Sequence, residues 1–260
     1  MSANNDTRAT QSYGTIVIVG GGCYGTYYLT QLRRARAAGA IAFERLVVVD
    51  RDPACQAAAR LAASSDPAIE VIISEWTPFF DDYFAAASIE SSDAIVPSPL
   101  MPHLMYEWIV RRAHARWPGR SMATRALPYA PDVPWHYESP DGTEYVSYAT
   151  WLCPINCIEP RRCPHTRGER TWTMPQAARA IVARATIEGE GAHVAPPLHG
   201  PVIFHCTHRA YGVGMFDTRE VLAGDALVAS VAATVEADVV VGTVSHCHGA
   251  LNLLHIDAPA

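Results

Sequence analysis

The pattern of apolar and polar positions changes period along the chain. Thr15 to Val19 is a short run rich in β-branched residues, and it leads straight into Gly20-Gly21-Gly22-Cys23-Tyr24-Gly25. Beyond the glycines, Leu29 and Leu32 fall on one side of a 3.6-residue period and Arg33, Arg34 and Arg36 on the other. That pattern predicts a helix over 26–37, closed by Ala38-Gly39. Leu46 to Val49 reads as a second strand and ends in Asp50. The alternation continues with a helix over 53–63, a strand over 70–74, a helix over 78–87, a strand over 93–96 and a long helix over 101–117. Strands alternating with helices at this spacing predict a parallel, doubly wound α/β sheet with right-handed crossovers.

The second half is less regular. From Pro118 to Pro140 the chain is rich in proline and aromatics and has no helical period, so it reads as a crossing connection. A turn at Pro140-Asp141-Gly142 launches a strand over 144–150. A helix is expected over 175–187, a strand over 202–206, a helix over 218–234 broken at Gly224, and a strongly apolar strand over 238–244. Three of these strands are followed by cysteine and histidine, which places potential ligands at strand carboxyl ends. If the strands lengthen the first sheet, all of those ligands meet at the edge that carries the glycine turn.

Composition narrows the classes. Half of the 260 residues are hydrophobic and 18% are charged, enough for one large or two modest domains. A net charge of -6 argues against nucleic acid or an anionic membrane as the main partner. No run approaches the ~20 apolar residues that span a bilayer. Met1 to Ser12 is polar, with Arg8 its one cation, and reads as a disordered tail in a cytoplasmic protein. Seven cysteines, an odd number, fit a disulfide framework poorly.

The glycine turn has a specific chemistry. Gly20 permits a tight turn, Gly22 lets the backbone approach a pyrophosphate, and Gly25 allows close helix–strand contact. Cys23 and Tyr24 lie between them, at a helix N-terminus that offers N–H groups to phosphate. Asp50 can accept from both ribose hydroxyls and would repel a 2′-phosphate, which favours NAD(H) over NADP(H). The neighbouring Arg51 tempers that preference.

On these residues, together with Val48-Val49-Asp50-Arg51-Asp52-Pro53 and Ser91-Ser92-Asp93-Ala94-Ile95-Val96, the stretch from Ile16 to Arg112 resembles the TrkA-N type of NAD-binding domain found in regulators of potassium transport. The resemblance implies a Rossmann-like sheet that senses a nucleotide without turning it over. Gly20, Gly22, Gly25 and Asp50 match its cofactor positions. The chain departs from that family at Ser74-Glu75-Trp76, where Gly-Asp is usual, and in the proline-rich collar Pro97 to Pro102.

The second half carries a different chemistry. Cys153, Cys157 and Cys163 lie in a proline- and arginine-rich loop with His165 close behind, and His205-Cys206-Thr207-His208 and His246-Cys247-His248 follow. Thiolate and imidazole are donors for zinc, iron and nickel. The expected ligands are Cys153, Cys157, Cys163 and Cys247, with His165, Cys206, His246 and His248 as alternatives. Both zinc and an iron–sulfur cluster suit the set. On an extended segment His246 and His248 would share one face and Cys247 the other. Arg161, Arg162, Arg167 and Arg170 offset thiolate charge, grip a carboxylate, or simply meet water.

The expected organisation is a tail over 1–12, a nucleotide domain over 13–118, and a Cys/His-rich extension over 119–260. The expected function is NAD(H) binding beside a thiolate-rich metal or iron–sulfur site, as an oxidoreductase acting on a small molecule. The alternatives are a non-catalytic redox sensor, with a partner protein or a homo-oligomer as its readout, and a structural zinc protein. No nucleophile elbow, Walker loop or zinc-protease helix is present, and the chain has no lysine for Schiff-base chemistry.

Overall fold

The structure is a computed structural model that describes residues 10–62, 66–154, 157–189 and 196–259. Most of the expected tail lies outside the described residues, but Gln11 and Ser12 do not belong to a tail: they open the first strand.

In chain order the elements are β1 (Gln11–Val19), α1 (Cys23–Ala37), β2 (Ile41–Asp50), α2 (Gln56–Leu61), β3 (Ile69–Ile73), α3 (Trp76–Ala86), β4 (Ala94–Val96) and α4 (Leu104–Arg116). The second half contributes β5 (Met122–Arg125), β6 (Trp135–Glu138), β7 (Glu144–Ser147), α5 (Met174–Gly189), β8 (Leu198–His205), β9 (Thr207–Ala210), β10 (Val213–Asp217), α6 (Thr218–Val231), β11 (Ala237–Val244) and β12 (His248–Ile256).

These strands form two mixed sheets. The first has the order β3-β2-β1-β4-β10-β9. Its β1 to β4 portion is parallel, whereas β10 runs antiparallel to both β4 and β9. The second has the order β6-β7-β12-β11-β8, with β5 also paired to β12. A single mostly parallel sheet was expected, and the hairpins of the second half break that expectation. The strands before the cysteine clusters do not lengthen the first sheet; only β9 and β10 join it.

Burial explains the continuous apolar runs of β1 and β2. Val17, Val19, Val47 and Val49 face a core that includes Phe80 and Phe84 of α3, Trp108 and Ile109 of α4, and Val221 and Val228 of α6. The same core takes in Val202, Phe204, Val239 and Leu254 of the second sheet. The alternate residues Ile16, Ile18, Leu46 and Val48 face Leu29 and Leu32 of α1 and Ala57 of α2. Strands covered on both faces need no polar alternation. On the far side of the second sheet, Met174, Ala178 and Ile181 of α5 pack on Val146, Val244 and Leu251. The result is a stack of helix, sheet, helix, sheet and helix layers.

Three local expectations are corrected. The connection over 118–140 contains β5 and β6, whose short polar strands are held by their neighbours rather than by an apolar period. Helix α6 is unbroken at Gly224: a Cβ there would meet Val202 Cγ1 at 2.5 Å, so the glycine serves close helix–sheet packing. His248 to Ile256, not anticipated as a strand, is a central strand paired with β11, β7 and β5.

Candidate functional site

The glycine turn sits at the carboxyl end of β1. Gly20 has φ +87 and donates its N–H to Val49 O at 2.8 Å, which ties the turn to β2. A Cβ on Gly25 would lie 1.7 Å from Gly20 O, so α1 can approach the turn only because Gly25 has no side chain. Gly21 is packed on Cys55, where a Cβ would meet the sulfur at 2.5 Å. Gly22 differs from both: a Cβ there meets nothing within 4 Å. Gly22 and Cys23 are exposed, and no side chain caps the first turn of α1.

Asp50, at the end of β2, accepts from Gly21 N at 2.5 Å through Oδ2 and from Asp52 N at 2.8 Å through Oδ1. Each carboxylate oxygen has a second lone pair, so both can still accept from a ligand. Arg51 is largely exposed and lies 3.9 Å from Glu75. Between the carboxyl ends of β1 and β4 a small apolar recess is lined by Val19, Ile95, Pro97, Met101, Pro102 and Phe216, so the proline collar forms its wall.

The second constellation lies at one edge of the other sheet. Ser147 pairs with His248, and Val244 pairs with both His205 and Gly249. Strands β7, β8 and β11 therefore run parallel and end together, and the loops that leave them carry the cysteines and histidines. Cys206 is the single residue between β8 in the second sheet and β9 in the first. His246 and Cys247 are not on an extended segment. They form the tip of the β11–β12 hairpin, closed by Ser245 N donating to His248 O at 2.7 Å. Strict alternation of side chains therefore fails there.

Sequence reasoning missed the residue that organises this edge. Glu159, within the cysteine loop, has φ +49 and a side chain only 9% exposed. Its carboxylate accepts from Ser245 Oγ at 2.7 Å, His246 N at 2.9 Å and Cys247 N at 3.0 Å. His208 Nδ1 lies 3.6 Å away. Burial by itself would raise its pKa, but these donors and His208 hold the carboxyl below its ordinary range. The available signal was an acidic residue amid the arginines of the loop.

Around Glu159 the imidazoles of His205, His208 and His248 all have lowered pKa values, with burial the largest cause. His248 Nδ1 lies 2.8 Å from Ser147 Oγ. Burial pushes the Cys206 thiol up to about 12 and the Cys247 thiol up to about 11, and the charge of Glu159 adds to both. Cys153 is raised by burial and then by the neighbouring charges of Cys157, Cys163 and Glu159, which places those groups together. Cys163 moves the other way: the backbone of Thr166 stabilises its thiolate, and Arg170 contributes. Arg170 also faces Cys247, so one of the four loop arginines is turned to the thiols. Arg161 is mostly exposed and lies 3.3 Å from Glu169, while Arg162 donates to Arg167 O at 2.6 Å.

The charge of Glu159 thus reaches Cys153, Cys206, Cys247, His205, His208 and His248, while Cys157 and Cys163 act on Cys153. His165 donates its backbone N–H to the Cys163 sulfur, while its exposed ring stacks on Trp151 with ring centroids 4.2 Å apart. Among the described residues no three of these thiols, imidazoles and the Glu159 carboxylate have all their ligand atoms within 4.8 Å of one another. Neutral imidazoles and reduced thiols are the precursors of a metal centre, and a dication would reverse the upward shifts of the thiols. Tyr28 of α1 is raised to about 12 by burial first and then by the charge of Cys206.

Residues 105–257 match the AF_1314_C family, described as "Uncharacterized protein, C-terminal domain", and the chain belongs to that family. The match takes in α4, the second sheet and every cluster around Glu159, and leaves the glycine turn outside. No curated protein and no solved structure matches the chain. Among the described residues no helix is long and apolar enough to cross a membrane.

Proposed function

We propose that this chain binds NAD(H) on a Rossmann-type domain over 13–118, akin to the TrkA-N type, beside a thiolate-rich metal or iron–sulfur site. The observation that carries this reading is the order β3-β2-β1-β4 among parallel strands. That order reverses direction between β1 and β4, and ligands of open α/β sheets sit at such a switch point. The glycine turn, the uncapped N-terminus of α1, Asp50 and the apolar recess are all found there. Pyrophosphate would meet the turn, and a ribose would meet Asp50, which disfavours a 2′-phosphate.

At the second site Cys153, Cys157, Cys163 and Cys247 would hold zinc or an iron–sulfur cluster, which would supply Lewis-acid or electron-transfer chemistry. Glu159 fixes the hairpin tip that carries Cys247, and Arg170 offsets thiolate charge. As an enzyme the protein would be a cytoplasmic oxidoreductase acting on a small molecule. The proximity of Tyr28 to Cys206 favours a second reading, a redox sensor in which nucleotide and metal bias one conformation for a partner protein or a second copy.

The test is calorimetry of NADH binding to the wild type and to Gly22→Val. Because a Cβ at Gly22 meets open space, the variant keeps its fold and loses the nucleotide. Unchanged NADH affinity in the folded variant overturns the assignment.

A further inference from the structure

We infer that Glu236, His255 and Asp257 form a separate site for one divalent transition-metal ion, at the end of the second sheet away from the cysteine loop. His255 is 2% exposed, near the end of β12. Its Nδ1 lies 2.7 Å from Oδ1 of Asp238, its register partner on β11. Its Nε2 lies 2.8 Å from Oδ1 of Asp257 and 3.5 Å from Oε1 of Glu236. One ligand atom from each of Glu236, His255 and Asp257 falls within 4.8 Å of the others. The two carboxylates are each nearly half exposed, so an ion can enter from solvent and keep water ligands.

Proton accounting at the imidazole points to a cation. Ionised carboxylates only accept, so a ring that donates Nδ1–H to Asp238 turns the lone pair of Nε2 toward Asp257 and Glu236. A lone pair facing a carboxylate oxygen at 2.8 Å needs a positive charge between them. A second proton would serve, but three carboxylates, one imidazolium and the Arg120 guanidinium still sum to -1. A dication on the neutral ring brings that sum to zero. Arg120, the nearby cation, directs its guanidinium to the backbone carbonyls of Asp257, Ala232 and Val235 instead.

The arrangement is a carboxylate–histidine–metal relay, with Asp238 as the positioning residue that sets the tautomer. One nitrogen and two carboxylates suit manganese or zinc. Asp238 and Val244 lie near opposite ends of β11, so this site stands roughly 20 Å from the thiol edge. It is independent of the nucleotide reading.

The experiment is an electron paramagnetic resonance titration of the full chain with Mn²⁺, an ion that thiolates bind poorly. One ion should bind per chain in the wild type. Glu236→Gln combined with Asp257→Asn should abolish binding while the near-ultraviolet circular dichroism stays native, because both side chains reach solvent. Asp238→Asn should weaken binding by ~10–100-fold. The inference is overturned if the wild type takes up no Mn²⁺ at millimolar concentration, or if the double variant binds like the wild type. It is equally overturned if ¹⁵N resonances show His255 protonated on both nitrogens throughout a Zn²⁺ titration.

Discussion

The hydroxyl of Ser245 donates to Oε1 of Glu159 across 2.7 Å, joining the cysteine loop to a hairpin tip 86 residues further along the chain. The same carboxylate receives the backbone N–H groups of His246 and Cys247, so it fixes the path of the tip and not just one side chain. Hydrogen bonds to a buried charge are each worth ~1.5–3 kcal/mol. Glu159→Gln should therefore lower unfolding free energy by at least about 2 kcal/mol, read from urea denaturation. A loss within experimental error would mean that water replaces the carboxylate at no cost.

The thiols give a second prediction. Protein purified without oxygen should contain zinc or iron, and Cys153→Ser or Cys247→Ser should lower both metal content and stability, since ligation energy is folding energy at such sites. The reading fails if metal analysis finds none and all seven thiols react freely in the native protein.

The glycine turn separates folding from binding. Gly25→Ala places a methyl group against Gly20 O and should cost about 3 kcal/mol or more, seen as a large fall in Tm. Gly22→Ala meets open space and should leave Tm within a degree or two of the wild type (on the order of 0.5 kcal/mol). Equal effects at the two positions would contradict the packing of α1 on the turn.

Glu220, in the first turn of α6, has a buried Oε2 without a hydrogen-bond partner. Burial raises its pKa, and the charge of Asp217 adds to the rise. A carboxyl with a raised folded-state pKa favours folding at low pH, and that contribution is lost as pH rises through the interval between its unfolded and folded values. Glu220→Gln should thus be more stable than the wild type at pH 7 and lose that advantage below the ordinary glutamate range. Denaturant titrations at the two pH values decide; a variant less stable at pH 7 would show that the carboxylate is compensated.

Coupling between the two sites is the last prediction. Tyr28 lies on the helix that begins at the glycine turn and feels the charge of Cys206, so a change of charge at the thiols would act on the helix that the proposed nucleotide meets. NADH and NAD differ in charge at the nicotinamide, and metal-loaded and chelated protein differ at the thiols. Affinities should differ between combinations by on the order of 1 kcal/mol, and linkage makes the effect reciprocal. Identical affinities for both nucleotides in both folded forms would make the metal a remote clip.

By itself the sequence determined the elements whose signal is local. The β-branched run before Gly20, the period that buries Leu29 and Leu32, and Asp50 at a strand end are all written in neighbouring residues, and each stands close to where it was expected. The gathering of cysteine and histidine after strands was also legible, because strand ends are local features. Tertiary structure alone decided which sheet those strands enter. An apolar run such as β11 fits either sheet, and the choice depends on pairing with β12 and β8, partners that no short window contains. The roles of Glu159, Gly224 and His255 were decided in the same way. A glutamate in a loop, a glycine in a helix and a histidine in an apolar strand carry no period. Their functions arise from Ser245, Val202 and Asp238, which only the folded chain brings within reach.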